Sequence, residues 1–187
     1  MKTGLYFGSF NPIHNGHLAI ADYMIKSAGI DEIWFVVSPL NPLKDKEILI
    51  SENERLELTR LAILDKPHFR ICDIEFRLPR PSYTIDTLKK LKAENPNRDF
   101  VLIIGTDNLI CFHHWKDYQR LLKEYEIVVY PRPGYDEYPE YSVRIVNAPQ
   151  MDISSTDIRQ RIADNRDFSQ LLPAQVWEYI QKNKLYR

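Results

Sequence analysis

The sequence is poor in cysteine and has no excess of charge of either sign. Cys72 and Cys111 are the only cysteines among 187 residues, and no CxxC spacing exists. That argues against a disulfide framework and for two small apolar side chains in a reducing cytoplasm. Twenty-five basic residues face 26 acidic ones. This argues against a strongly basic nucleic-acid binder and against a polybasic membrane surface. The opening "MKTGLYFGSF" has no apolar stretch of signal-peptide length, and no window approaches a membrane span. There is no G-x-x-x-x-G-K-[ST], so the chain is not a P-loop enzyme. There is no G-x-G-x-x-G either, which argues against a nicotinamide dehydrogenase, and no H-E-x-x-H. No nucleophile triad, internal repeat, low-complexity tract or linker stands out. The length suits a single domain over residues 1–187 with a sizeable core.

What is present is an alternation of short apolar runs and helical patterns. Leu5–Phe7, Ile33–Val37, Phe69–Phe76, Phe100–Ile104, Ile127–Tyr130 and a short run at Val143–Val146 read as six strands. Runs apolar on both faces suit central parallel strands. Between them, Leu18, Ala21, Met24, Ile25 and Ala28 repeat at helical spacing, with Gly29 closing the helix. A second helix enters at Ser51 and carries Leu56, Leu58, Leu61, Ala62 and Ile63. A third carries Ile85, Leu88 and Leu91 and stops at Asn95-Pro96. Ile158 with Ile162 marks a fourth. Val176, Trp177 and Ile180 mark a fifth, with Pro173 in its first turn. Residues 131–149 read as a loop plus a weak strand. The pattern predicts an α/β fold with a doubly wound parallel sheet, whose ligands bind at the carboxyl ends of the strands.

The stretch "GSFNPIHNGH", residues 8–17, occupies such a strand exit. Gly8 permits close backbone approach, Pro12 stops the strand, and Gly16 leaves room at the helix start. The first helix then offers unpaired N–H groups and a positive dipole end, which suits an anion. His14 and His17, three apart, fall on one side of that turn and can donate to phosphate. A zinc site would need a third ligand, and ordinary capping or core histidines remain the simpler alternative. A second stretch, "ISSTDIRQRI" at residues 153–162, repeats the logic. Ser154 or Ser155 caps a helix, Asp157 favours its first turn, and Arg159 points away from the apolar face set by Ile158 and Ile162.

Taken together, "GSFNPIHNGHL" and "ISSTDIR" resemble the HxGH nucleotidyltransferase superfamily, whose Rossmann-like fold is shared with class I aminoacyl-tRNA synthetases. Within it the chain is similar to the nicotinate and nicotinamide mononucleotide adenylyltransferases, the bacterial nicotinate type above all. Ser9 and Asn11 stand where many members have Thr and Asp. The resemblance implies adenylyl transfer from ATP, with Mg2+, to nicotinate mononucleotide, giving nicotinate adenine dinucleotide and pyrophosphate in NAD biosynthesis. It implies that His17, His14 and Arg159 are catalytic. It also implies that Gly8, Ser9, Phe10, His14, His17, Gly105, Asp107, Arg132, Ser155, Thr156 and Arg159 bind ATP. Asp107 suits a ribose hydroxyl or a helix cap. "SYTIDTL" and "GTDNLICFHHWKDY" carry the likeness to the acceptor side. There Thr84, Trp115 and the backbone of Lys116 would hold the mononucleotide, with the indole stacking on the pyridine ring. Lys44 in "PLNPLKD" would meet its phosphate. No protein metal site is expected. His113 and His114 read as solvated loop residues. The alternatives are nicotinamide mononucleotide or pantetheine phosphate as acceptor, or a non-catalytic nucleotide sensor on the same fold. The chemistry suits the parts: phosphoryl-type transfer needs positioning and cations more than a strong base.

Overall fold

The computed structural model describes residues 1–39 and 49–187. Six strands form one parallel sheet: β1 (Lys2–Gly8), β2 (Glu32–Val37), β3 (Phe69–Cys72), β4 (Asp99–Gly105), β5 (Glu126–Tyr130) and β6 (Arg144–Ile145). Their order is β3-β2-β1-β4-β5-β6. The order reverses between β1 and β4, and that is where an open α/β sheet leaves a crevice.

Side chains on each strand alternate between two apolar layers, as the pleat requires. Tyr6, Phe35, Ile103 and Val128 point into one layer. Leu5, Val36, Leu102 and Val129 point into the other. The first layer is closed by α1 (Asn15–Ser27), α2 (Glu52–Ala62), α6 (Ser155–Ala163) and α7 (Ala174–Asn183). The second is closed by α3 (Thr84–Glu94), α4 (Thr106–Ile110) and α5 (Tyr118–Glu124). Local signals explain several boundaries. Ser51 accepts from the Glu54 N–H while Glu54 accepts from the Ser51 N–H, a closed capping box at the start of α2. Gly29, one residue past the α1 cap, has φ +66°, which only glycine adopts without cost.

Three sequence expectations need correction. The third strand ends at Cys72, because Ile74–Arg77 wind into a 3-10 turn that carries Glu75 inward. The sixth strand shrinks to Arg144–Ile145 at the sheet edge, where only one neighbour holds it. Pro173 caps α7 instead of joining its first turn. The short helices α4 and α5, packed after β4, were not apparent in the periodicity.

Candidate active site

The β1–α1 loop lies at the switch point. His14 is the cap residue of α1, and its backbone N–H donates to His17 Nδ1 at 3.3 Å. The two imidazoles stack with centroids 3.7 Å apart and planes 28° from parallel. Because Nδ1 of His17 accepts, the neutral ring carries its proton on Nε2, which makes Nε2 a donor. Phe10 sits beneath, edge-on to His17 at 5.2 Å, with its backbone at φ 45°. Its ring is buried and fills the space a Cβ on Gly8 would need, at 2.8 Å. The close approach at Gly8 therefore serves Phe10. A Cβ on Gly16 would stand 3.0 Å from His14 Nδ1, so Gly16 does leave room beside the imidazoles.

His14 is only 5% exposed, and its Nδ1 has no hydrogen-bond partner among the described residues. Burial first, and the Arg132 guanidinium second, push its pKa down to about 3. It is a neutral imidazole at physiological pH.

The second motif folds against the first. Ser154 caps α6 by accepting from the Asp157 N–H at 3.1 Å. Ser155, the neighbouring candidate, instead donates to the Pro12 carbonyl at 2.9 Å. Arg159 donates to the Asn11 carbonyl at 2.8 Å and to Thr156 Oγ1 at 3.3 Å. Residues more than 140 positions apart in sequence thus form one clasp around the start of α1.

Across the switch point, β4 ends at Gly105 and β5 at Tyr130. Asp107 Oδ2 accepts from Arg132 Nη1 at 2.9 Å, and the Arg132 backbone N–H donates to Thr106 Oγ1. Gly105, not Asp107, takes the cap position of α4. A Cβ at Gly105 would lie 2.4 Å from Asp107 Oδ1 and 2.8 Å from Arg132 Cδ, so glycine makes the pair possible.

These groups border one cleft of about 520 Å³, well within the size range of small-ligand sites. Its far side is formed by Thr84 at the start of α3, by Trp115 and by Lys116. Trp115 is half-buried against Phe112, and its indole N–H is buried without a partner among the described residues. The Lys116 ammonium pairs with Asp86 at 2.8 Å and lies 4.8 Å over the Tyr83 ring, so its side chain is already engaged. His114 borders the cleft and His113 does not; both are exposed. Every expected site residue borders this cleft except Lys44, which lies outside the described residues. Among the described residues no three His, Cys, Asp or Glu side chains converge as metal ligands.

Two buried ionisable side chains, one at the cleft and one behind it, escaped the sequence reading. Glu75 is 3% exposed and accepts from Thr87 Oγ1 at 2.8 Å, with the Ser38 and Ser82 hydroxyls also bonded to it. Burial raises its pKa, and the three hydroxyls pull the other way. Arg55 is fully buried on α2. A signal for it did exist: Arg55, Leu58, Thr59 and Ala62 share the inward face of α2, and a cation on that face needs a reason.

With the geometry in place, comparison with known proteins decides the family. The cytidylyltransferase-like family model matches residues 5–161, taking in both motifs. The chain belongs to the cytidylyltransferase-like family. Two curated members are a Flavobacterium johnsoniae protein, 46% identical with all of both chains covered, and a Bacteroides thetaiotaomicron protein, 48% identical over 97% of this chain and 92% of its own. Each bears the name "Probable nicotinate-nucleotide adenylyltransferase". Among solved structures, a Plasmodium falciparum nicotinic acid mononucleotide adenylyltransferase complexed with NaAD superposes with TM-score 0.80 at 22% identity. That superposition covers 99% of this chain and 97% of the other. At that identity it speaks to the fold, and it bears out the Rossmann-like doubly wound sheet of the family.

Proposed function

We propose that this cytidylyltransferase-like protein transfers the adenylyl group of ATP to nicotinate mononucleotide, giving nicotinate adenine dinucleotide and pyrophosphate. The observation that carries this reading is the clasp: Arg159 on the Asn11 carbonyl and Ser155 on the Pro12 carbonyl set two phosphate-type donor segments side by side. Full-length identity of 46–48% to relatives bearing that name supports the choice of acceptor.

A phosphate oxygen of the mononucleotide attacks the α-phosphorus of ATP, and the bond from that phosphorus to the bridging oxygen breaks, releasing pyrophosphate. The attacking oxygen is already anionic, so the protein's task is to orient two anions and stabilise charge between them. His17 Nε2–H donates to the α-phosphate oxygen that gains charge. Arg159 and the start of α6, with Ser155 and Thr156, hold the outer phosphates. His14, neutral and stacked on His17, fixes that ring and contributes its own N–H. Gly8, Ser9 and Phe10 supply backbone along the phosphates. Gly105, Asp107 and Arg132 flank the nucleoside, with Asp107 facing the ribose hydroxyls.

On the acceptor side Trp115 stacks on the pyridine ring, while Thr84 and the Lys116 backbone N–H receive its carboxylate. Mg2+ enters bound to the triphosphate, as part of the substrate, taking oxygen ligands from phosphate and water. Among the described residues no helix is long and apolar enough to cross a membrane, and both cysteines are free thiols. This fits our placement of the protein in the cytoplasm.

The test is pyrophosphate release by the purified protein with Mg-ATP and, in turn, nicotinate mononucleotide, nicotinamide mononucleotide and pantetheine phosphate. Release with nicotinate mononucleotide well above the other two is expected. A clear preference for either rival would replace the acceptor. Silence with all three would remove the enzyme reading.

A further inference from the structure

A buried guanidinium beneath the cleft has no carboxylate within ion-pair distance among the described residues. Arg55, at 0% exposure, spends its donors on four backbone carbonyls. Nη1 donates to Ser9 O at 2.7 Å and Ser38 O at 2.6 Å, Nη2 to Pro39 O at 2.9 Å, and Nε to Ile50 O at 3.4 Å. Contrast the amino ends of the strands, where Arg98 and Arg70 share the Glu32 carboxylate. A buried guanidinium held, among the described residues, by carbonyls alone is an expensive way to hold a fold together.

Its location gives it a use. β1 and β2 run in register up to Gly8 and Val37, and the Ser38 N–H still donates to Gly8 O at 2.9 Å. Beyond that the two chains part. Ser9 leads into the loop carrying His14 and His17, and Ser38 borders the cleft on the side of Glu75, Ser82 and Thr84, with Pro39 next to it in the chain. Arg55 grips both just after the sheet ladder lets them go. In a trans peptide the N–H lies opposite the C=O, so holding Ser9 O on Arg55 turns the Phe10 N–H away from α2. Arg159 and Ser155 fix the same loop from the other side through Asn11 and Pro12. The β1–α1 loop is therefore held from α2 and α6, and of these two helices only α2 also holds the segment after β2.

We propose that Arg55 is a positioning residue for the reaction, setting the distance between the triphosphate loop and the acceptor edge through the Ser9, Ser38 and Pro39 carbonyls. It touches neither substrate. The inference rests on the two-substrate transfer proposed above. Lysine at this position keeps the charge but cannot fork across two chains. Methionine keeps most of the volume and loses both.

The experiment compares wild type, R55K and R55M. It measures pyrophosphate release with each substrate varied, calorimetric binding of α,β-methylene ATP to count folded sites, and amide hydrogen exchange over residues 8–17. If Arg55 positions, kcat per folded site falls about tenfold in R55K and about a hundredfold in R55M, the scale of a misplacement near 1 Å. The Kd for the ATP analogue stays within about threefold, and exchange in residues 9–14 rises in both variants. R55K then stands as partial rescue. Normal kcat per folded site in both variants, or unchanged exchange, would overturn the proposal. So would failure of both to fold, since Arg55 would then be a fold residue only. An inactive wild type would count against the proposed function, and the exchange readout would still decide what Arg55 does to the loop.

Discussion

His14 and His17 stack face to face, yet their surroundings give them different work. His17 has its Nδ1 occupied by a backbone N–H, which commits Nε2 to donate. In the proposed transfer, replacing it with alanine removes a donor aimed at the charge that develops on the α-phosphate. The expected result for H17A is a fall in kcat of about 10²–10³-fold with ATP affinity changed only a few-fold. Steady-state kinetics beside analogue binding would check it, and equal losses in both would contradict the role.

His14 offers a different test. Its folded pKa of about 3 lies below the unfolded value near 6.5. The unfolded chain therefore takes up a proton below pH 6.5 that the native ring refuses. Stability linked to His14 is complete above pH 6.5 and drains away as pH falls toward 3, by up to about 1.4 kcal/mol per pH unit. Urea unfolding at pH 7 and pH 5 is expected to show a drop roughly 2 kcal/mol larger in wild type than in H14N. Parallel drops would show that the ring protonates in place.

At the scale of elements, the strand exits carry the site, and glycine at one of them decides whether it assembles. Gly105 ends β4 where any Cβ would press on Asp107 and Arg132. The atoms it would strike belong to movable side chains, so G105A is expected to fold, with a melting temperature within a few degrees of wild type. The displaced Asp107–Arg132 pair should raise the KM for ATP several-fold and leave the acceptor KM near its normal value. A melting drop without a KM change would mean that the pair is structural.

The same elements show what the sequence could reveal. The strands after which the two motifs stand were legible because central parallel strands are apolar on both faces, and the motifs punctuate them with glycine, proline and capping residues. Ser154 and Ser155 could not be told apart by pattern, because either hydroxyl reaches a first-turn N–H; their division into cap and clasp depends on where Pro12 lies. Glu75 was hidden in a run that reads as strand, and Arg55 in a helix whose inward face is otherwise uncharged or apolar. Most of their partners, Ser9, Ser38 and Pro39 for Arg55 and Ser38 and Thr87 for Glu75, come from other elements, which no local window contains. α4 and α5 were missed because helices of five and seven residues complete too few turns to show a period.

For the molecule as a whole, the strand order β3-β2-β1-β4-β5-β6 matters more than any single residue. With every strand pair parallel, all strand exits open on one edge. Segments from β1, β4, β5 and the chain after β6 therefore meet without any of them being long. The clasp of α6 on the β1–α1 loop is a consequence of that wiring, and so is the meeting of that loop with the Asp107–Arg132 pair across the switch point.

A crystal structure with α,β-methylene ATP bound tests this most directly. The expected result is one triphosphate in the cleft, with His17 Nε2 within hydrogen-bond distance of the α-phosphate and the Arg159 guanidinium on the outer phosphates. A triphosphate bound in the cleft but out of reach of one of these two groups, or bound elsewhere on the protein, would contradict it.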